Sequence, residues 1–131
     1  MCLYAEHATP KIAEEDILVL KVLHRIHTDD GTVKFVSPFR YFKYEVGVEY
    51  TSKLNPDVEA FSCAATVEEG LHSFVYDKSV INEYHKPYND LVCVVVAEAI
   101  IPKGSEYFVG TWIKENKSIA SNKLRIVKIL D

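Results

Sequence analysis

The chain has 131 residues, 48% of them hydrophobic and 26% charged, which is the composition of an ordinary globular protein and not of a disordered or fibrous one. This length fits one domain, residues 1–131, and leaves no room for a second independent core. Fifteen basic and nineteen acidic residues give a formal charge of −4, and the basic residues are scattered, so we expect no general nucleic-acid-binding surface.

The cysteines and the N-terminal sequence both favour an intracellular location. Cys2, Cys63 and Cys93 are an odd number without the spacing of a disulfide framework, which favours a reducing compartment. Residues 1–16 become polar and acidic before a signal-like apolar core can form. The apolar run at residues 91–101 is much shorter than the roughly 20 residues of a membrane-spanning helix. We therefore expect a cytoplasmic protein that does not contact membranes.

The first half of the chain predicts a helix start followed by strands. Thr9 and Pro10 are the residue types expected at a helix N-cap and at the first helical position. Residues 17–26 are rich in Leu, Val and Ile, which favours a strand. Residues 41–50 alternate apolar and polar side chains, and this pattern predicts one amphipathic strand of an antiparallel sheet.

The second half predicts one helix between further strands. Asp77 can cap a helix that ends before Pro87. Residues 91–101 are typical of a strand buried on both faces, and a turn at Pro102 and Gly104 follows. We therefore predict an α+β fold with a mostly antiparallel sheet, curled or packed upon itself, and one or two short helices. Other strands are expected at residues 71–76, 107–109 and 123–130.

Glu98 is the strongest single indication of a functional site, because it interrupts the apolar run at residues 91–101. On a strand it shares a face with Val96 and Ile100, where a carboxylate has to be paired, protonated or directed into a cleft. We favour an ion pair with a neighbouring strand, since structural ion pairs perturb carboxylates as readily as active sites do. The candidate cations are Lys21, Arg25 and Arg125.

His72 is the second candidate, because it follows Gly70 at the start of a predicted strand. A glycine there allows close approach to the backbone, and a histidine can then contact a ligand or transfer a proton near neutral pH. Alternatively, His72 is a half-buried residue that donates a hydrogen bond to a backbone carbonyl. The sequence leaves both alternatives open.

Aromatic residues are concentrated on the predicted strands, with Arg40 and Lys43 beside the largest group. Such rings line a pocket, stack on bases or belong to the core, and their alternating spacing favours the core. Arg40 and Lys43 have the charge to hold an anion, although a solvated strand edge explains them as well. The aromatic residues are Tyr41, Phe42, Tyr44, Tyr50, Tyr107, Phe108 and Trp112.

No metal or nucleotide motif is present in the sequence. His24 and His27 are three residues apart, and on a strand they face opposite sides, so they cannot hold one metal ion together. The sequence contains no G-x-G-x-x-G, Walker loop, C-x-x-C, H-E-x-x-H or G-x-S-x-G.

The strand of Cys93 and the terminal strand are expected to offer sheet edges, which allows homo-oligomerisation.

The order of several short motifs resembles a family of uncharacterised phage and bacterial proteins. Their pattern has a Tyr-Glu-Val-Gly strand, a Gly-aromatic-His segment, an Ala-Glu-Val strand and a terminal Ala-Ser…Ile-Arg-Ile-Val strand. The resemblance covers most of residues 40–130 and implies no established activity. Family members often carry cysteines beside the Gly-aromatic-His segment, where this chain has residues such as Val67 and Phe74. The matching residues are Phe42, Tyr44-Glu45-Val46-Gly47, Tyr50, Gly70-Leu71-His72, Ala97-Glu98, Ala120-Ser121 and Leu124-Arg125-Ile126-Val127.

The layout is also similar to ADP-ribosyltransferase-like folds, in which a basic residue, a strand aromatic, a histidine and a late glutamate surround a nicotinamide dinucleotide (NAD). On that analogy Glu98 would stabilise an oxocarbenium-like state or orient the acceptor. The residues that the analogy places around NAD are Arg25 or His24, Tyr44, His72 and Glu98.

Two functional hypotheses follow. The leading hypothesis is a binding or accessory module that has no cofactor and no chemistry of its own. The alternative is an ADP-ribosyltransferase-like enzyme that uses NAD. In that alternative the catalytic residues would be Glu98, His72 and Tyr44, and the ligand-binding residues would be Arg25, Arg40 and Lys43.

Overall fold

The computed structural model of the chain describes residues 3–5, 9–37, 42–58, 65–84, 86–87, 92–111 and 117–130. These residues form fourteen strands and one helix. Strands are favoured by the many β-branched and aromatic side chains, which pack well on a pleated surface. In chain order, the elements are β1 (Leu3–Ala5), β2 (Lys11–Ile12), β3 (Ile17–His27), β4 (Val33–Val36), β5 (Lys43–Tyr44), β6 (Glu49–Thr51), β7 (Asn55–Val58), β8 (Ala65–Glu69), β9 (Leu71–Val75), α1 (Lys78–Tyr84), β10 (Lys86–Pro87), β11 (Val92–Ile101), β12 (Glu106–Thr111), β13 (Lys117–Ser121) and β14 (Lys123–Leu130).

The fold is nearly all-β, and the predicted α+β class is wrong. Helix α1 has seven residues, which are too few to form a helical layer beside a fourteen-stranded sheet. The predicted curling is also wrong, since the sheet is open and its end strands β6 and β7 do not pair with each other in the described part of the chain. The expected antiparallel arrangement is correct, because each strand pair that the structure describes is antiparallel.

The longest ladder among the described strands joins β3 and β11, and it runs from Val92 opposite Ile26 to Ile101 opposite Ile17. The sheet order is β6-β14-β11-β3-β9-β13-β12-β1-β8-β7, with β2, β4, β5 and β10 beside this path. Strand β11 pairs on both sides, so it is not the exposed edge that the sequence suggested for self-association. Strand β14 pairs with β11 over residues 125–130, but β6 covers only residues 123–125 on its other side, so the rest of that side has no partner strand among the described residues.

The two faces of β11 pack against different groups of residues. On one face, Val95 and Ala97 are buried with Leu23 and other apolar residues of β3, β13 and β14. On the other face, Val96 is buried with Leu20 and with residues of β9 and α1. The prediction of a strand buried on both faces is therefore confirmed. A third apolar cluster, between β1, β8, β12 and β13, contains Leu3, Ala5, Val67, Phe108 and Ala120.

Residues 41–50 do not form the single strand that their alternation predicts. In the described portion, residues 42–50, the backbone turns at Gly47, whose φ is +85°, and this turn separates β5 from β6. The N–H of Gly47 donates a hydrogen bond of 2.8 Å to the carbonyl of Ile126. Few residues other than glycine adopt this conformation without strain, so Gly47 marks the turn.

The two predicted helix starts have different outcomes. Asp77 caps α1, since its carboxylate accepts a hydrogen bond of 2.9 Å from the N–H of Ser79, and this bond lowers the pKa of Asp77. Thr9 and Pro10 start no helix, because the residues after them form β2, which pairs with β12. No helix among the described residues is long and apolar enough to cross a membrane.

Candidate functional site

Glu98 lies on β11, between Leu20 on β3 and Lys128 on β14. Its side chain is half-buried, and no ion pair within the described residues involves it. Lys21 is directly opposite Ala97 and therefore lies on the other face of the sheet, so the ion pair considered between Lys21 and Glu98 is not formed. Lys128 is the cation that the register places beside Glu98, and it is exposed.

The predicted catalytic residues do not converge on one cleft. Tyr44 packs with Ala97 and Ala99, on the face of β11 opposite to that of Glu98. His72 is on β9, and β3 lies between β9 and β11. The register places Phe74 level with Glu98, so two strand spacings, about 10 Å, and an offset of two residues along β9 separate the backbones at His72 and Glu98.

Lys21 connects two of the predicted residues, His72 and Tyr44, although the sequence suggests it only as a partner of Glu98. Its side chain is 7% exposed. The ammonium Nζ donates a hydrogen bond of 2.5 Å to the carbonyl of His72 and lies 5.4 Å from the centre of the Tyr44 ring. Burial lowers the pKa of Lys21 from its ordinary value of 10.5 to about 8.

Tyr44 belongs to a compact group of three aromatic rings with Phe42 and Tyr50. The ring centres are 5.0 to 5.4 Å apart, and all three pairs are edge to face. Burial raises the pKa of Tyr44 well above its ordinary range, so the hydroxyl stays protonated. The expectation that these residues belong to the core is confirmed for Tyr44, which is 3% exposed, whereas Phe42 is 43% exposed.

The predicted ligand-binding residues lie apart. Lys43 is exposed, and its Nζ is 3.7 Å from a carboxylate oxygen of Glu45. Arg25 is half-buried on β3, between Phe35 of β4 and Cys93 of β11. Arg40 lies outside the described residues.

The described residues contain no group of three His, Cys, Asp or Glu side chains that is arranged to hold a metal ion. His24 is half-buried, and burial lowers its pKa, whereas His27 is exposed. Both histidines are on β3, and their positions lie on opposite faces of the strand, as the spacing predicts.

A groove of about 800 Å³ lies at the start of β3, between residues 11–18 and Tyr107 of β12. Its apolar side is exposed, with Ile12 55% and Leu18 45% exposed. Three consecutive acidic residues and Lys11 form its polar side. The lining residues are Lys11, Ile12, Glu14, Glu15, Asp16, Ile17, Leu18 and Tyr107.

The groove is held by hydrogen bonds to the turn after β11. The N–H of Ala13 donates to the carbonyl of Ser105 over 2.9 Å, and the N–H of Gly104 donates to the carbonyl of Ala13 over 2.8 Å. The carboxylate of Asp16 accepts a third bond, of 2.9 Å, from the N–H of Lys103. The acidic segment is therefore fixed in place before any ligand binds.

No protein-family model, no curated protein and no solved structure matches the chain. The resemblance to uncharacterised phage and bacterial proteins therefore stays a prediction that rests on its short motifs.

Proposed function

We propose that this domain is a cytoplasmic binding module, and that its groove at residues 11–18 holds an extended, basic and apolar segment of a partner protein. The observation that carries this proposal is the combination of Glu14, Glu15 and Asp16 with the exposed apolar side chains of Ile12 and Leu18 in one groove. Carboxylates beside exposed apolar surface complement a segment that alternates basic and apolar side chains.

The preformed shape of the groove supports this proposal. Three hydrogen bonds hold Ala13 and Asp16 on the turn at residues 102–105, so the acidic segment loses little conformational freedom when a ligand binds. Asp16 already accepts one of these bonds, which leaves Glu14 and Glu15 as the side chains available to a ligand. Both are exposed.

Binding is tested by fluorescence anisotropy with a labelled synthetic peptide of about eight alternating lysine and leucine residues, which spans about 27 Å when extended. Two further peptides serve as probes, one with glutamate in place of lysine and one with serine in place of leucine. We expect the lysine–leucine peptide to bind most tightly, at low ionic strength where exposed charges are least screened. Equal affinity for the serine peptide would contradict the apolar part of the proposal.

Two pairs of variants locate the binding surface. Glu14→Gln with Glu15→Gln is expected to weaken binding by about two- to thirtyfold, since an exposed ion pair contributes roughly 0.2–1 kcal/mol. Asp29→Asn with Glu49→Gln removes the same charge from exposed positions outside the groove and is expected to leave the affinity unchanged.

The apolar side of the groove is tested in the same way. Leu18→Ala is expected to weaken binding of the lysine–leucine peptide, whereas Val127→Ala, at an exposed apolar residue on β14, is expected to have no effect. If the charge-removing groove variant and its charge-removing control lower the affinity equally, the peptide binds to the overall negative charge of the protein, and the groove is not its site.

A further inference from the structure

Lys21 is enclosed by apolar side chains in the middle of β3. Val19 and Leu23, two residues away on either side, are fully buried on the same face. Ala97 is directly opposite on β11 and is also fully buried, and the ring of Tyr44 covers the ammonium. A charged group in such surroundings is destabilised, and a neutral amine is favoured.

The polar groups around Lys21 are not all satisfied by the protein. Its Nζ makes one hydrogen bond within the described residues, to the carbonyl of His72, although an ammonium has three donors. The pairing of Leu20 with Phe74, continued by one residue, places Ser73 across from Lys21. Ser73 is 3% exposed, and its hydroxyl has no hydrogen-bond partner in the part of the chain that the structure describes. A buried amine with unused donors, next to a buried hydroxyl that lacks a partner, indicates a place for a polar atom of a ligand.

Among the groups that surround Lys21, Tyr44 is on the strand with the least extensive pairing. Strand β5, which carries Tyr44, has two residues and, among the described strands, pairs only with β4, outside the main order of the sheet. A small molecule therefore reaches Lys21 most readily by displacing Tyr44, without separating β3 from β11.

We propose that Lys21 is a carbonyl-binding lysine, which forms an imine with a small uncharged aldehyde while the Ser73 hydroxyl hydrogen-bonds the carbonyl oxygen. This site is independent of the groove and goes beyond the peptide-binding function proposed above. A small uncharged ligand suits it because the walls contributed by Val19, Leu23 and Ala97 are apolar.

The reaction needs no oxidant or reductant. The neutral amine attacks the carbonyl carbon, so an N–C bond forms and the π electron pair moves to the oxygen, which takes up a proton as the nitrogen releases one. The hydroxyl of this carbinolamine then takes up a second proton and leaves as water, while the nitrogen lone pair forms the C=N bond of an iminium ion. The iminium nitrogen releases its proton to give the imine. Overall, an amine and an aldehyde give an imine and water. At pH 7 about one tenth of an amine whose pKa is about 8 is neutral, which supports attack near neutral pH.

The full chain is incubated with propanal and sodium cyanoborohydride, which reduces the imine to a stable secondary amine, and mass spectrometry measures the rate at each lysine. We expect Lys21 to be alkylated at least tenfold faster than the exposed Lys53 and Lys103 at pH 7. We also expect the rate at Lys21 to level off above about pH 8. A rate at Lys21 equal to or below the rates at the exposed lysines would overturn the proposal.

Two serines provide a matched pair of variants. Ser73 and Ser118 are equally buried, and the hydroxyls of both lack a partner within the described residues, but Ser118 is opposite Phe74 and so lies on the other face of the sheet from Lys21. Ser73→Ala is expected to slow alkylation of Lys21 several-fold, and Ser118→Ala to leave it unchanged, with circular dichroism confirming that both variants fold. Equal rates in both variants would remove Ser73 from the site, and if Ser73→Ala does not fold, Ser73→Cys replaces it.

Discussion

Replacement of Lys21 by methionine tests whether the core of this protein contains a destabilised positive charge. The change from the ordinary pKa of 10.5 to about 8 corresponds to about 3 kcal/mol, at about 1.36 kcal/mol for each pKa unit. Because the folded protein holds this proton less tightly than the unfolded chain, the unfolded chain carries more protons between pH 8 and pH 10.5. The free energy of unfolding that Lys21 contributes therefore rises with pH across this window and is constant below it.

The assay is urea-induced unfolding, followed by circular dichroism, of the wild type and of Lys21→Met from pH 7 to pH 10.5. We expect the free energy of unfolding of the wild type, relative to the variant, to increase by about 3 kcal/mol over this range. Other titrating groups occur in both proteins and cancel in the comparison. Lys103→Met, which removes an exposed ammonium, is the control. A difference between the wild type and Lys21→Met that stays constant with pH would refute the reasoning.

Two further substitutions test the strand and turn assignments. Glu98→Gln is expected to lower the free energy of unfolding by less than about 1 kcal/mol, because the cation directly across from Glu98 is the exposed Lys128, and cross-strand pairs contribute roughly 0.2–1 kcal/mol. In a double-mutant cycle with Lys128→Gln, the two losses should not add fully, and a loss above about 2 kcal/mol for Glu98→Gln alone would indicate a different partner. Gly47→Ala is expected to lower the free energy of unfolding by about 1–2 kcal/mol, because the φ of Gly47 is +85°, and Gly47→Asn is expected to lower it by less. Thermal unfolding measures both variants. A Gly47→Ala variant as stable as the wild type would contradict the turn assignment.

The long central strands are predictable from the sequence, because their apolar character extends over ten residues or more. Strands β3 and β11 end within one residue of the predicted positions. The structure of residues 41–50 is not predictable in the same way, since an alternating pattern fits one long strand as well as two short strands joined by a turn at Gly47. At Thr9 and Pro10, the pairing of β2 with β12 overrides the local preference for a helix start.

The surroundings of Lys21 depend on strand pairing, and pairing between distant segments is not visible in a single sequence. Alternation along a strand places Lys21 on the same face of β3 as Val19 and Leu23. Whether that face is buried depends on β11 and on the ring of Tyr44, which are separated from Lys21 along the chain. A lysine on a strand is usually exposed, so its residue type favours the opposite conclusion. The groove is not predictable from the sequence for a related reason, because Tyr107 lies next to residues 11–18 only in the folded sheet.

The separation of β3 and β11 along the chain also affects how the protein is synthesised. Residues 17–27 pair with residues 92–101, so a nascent chain growing at about 5–20 residues per second has β3 without its main partner for roughly 4–15 s. An unpaired strand as apolar as β3 is able to pair with strands of other chains. Lys21 interrupts this strand between Leu20 and Val22 with a charge that is fully hydrated until β11 arrives. We therefore expect Lys21, although it is unfavourable in the finished core, to disfavour such pairing during synthesis.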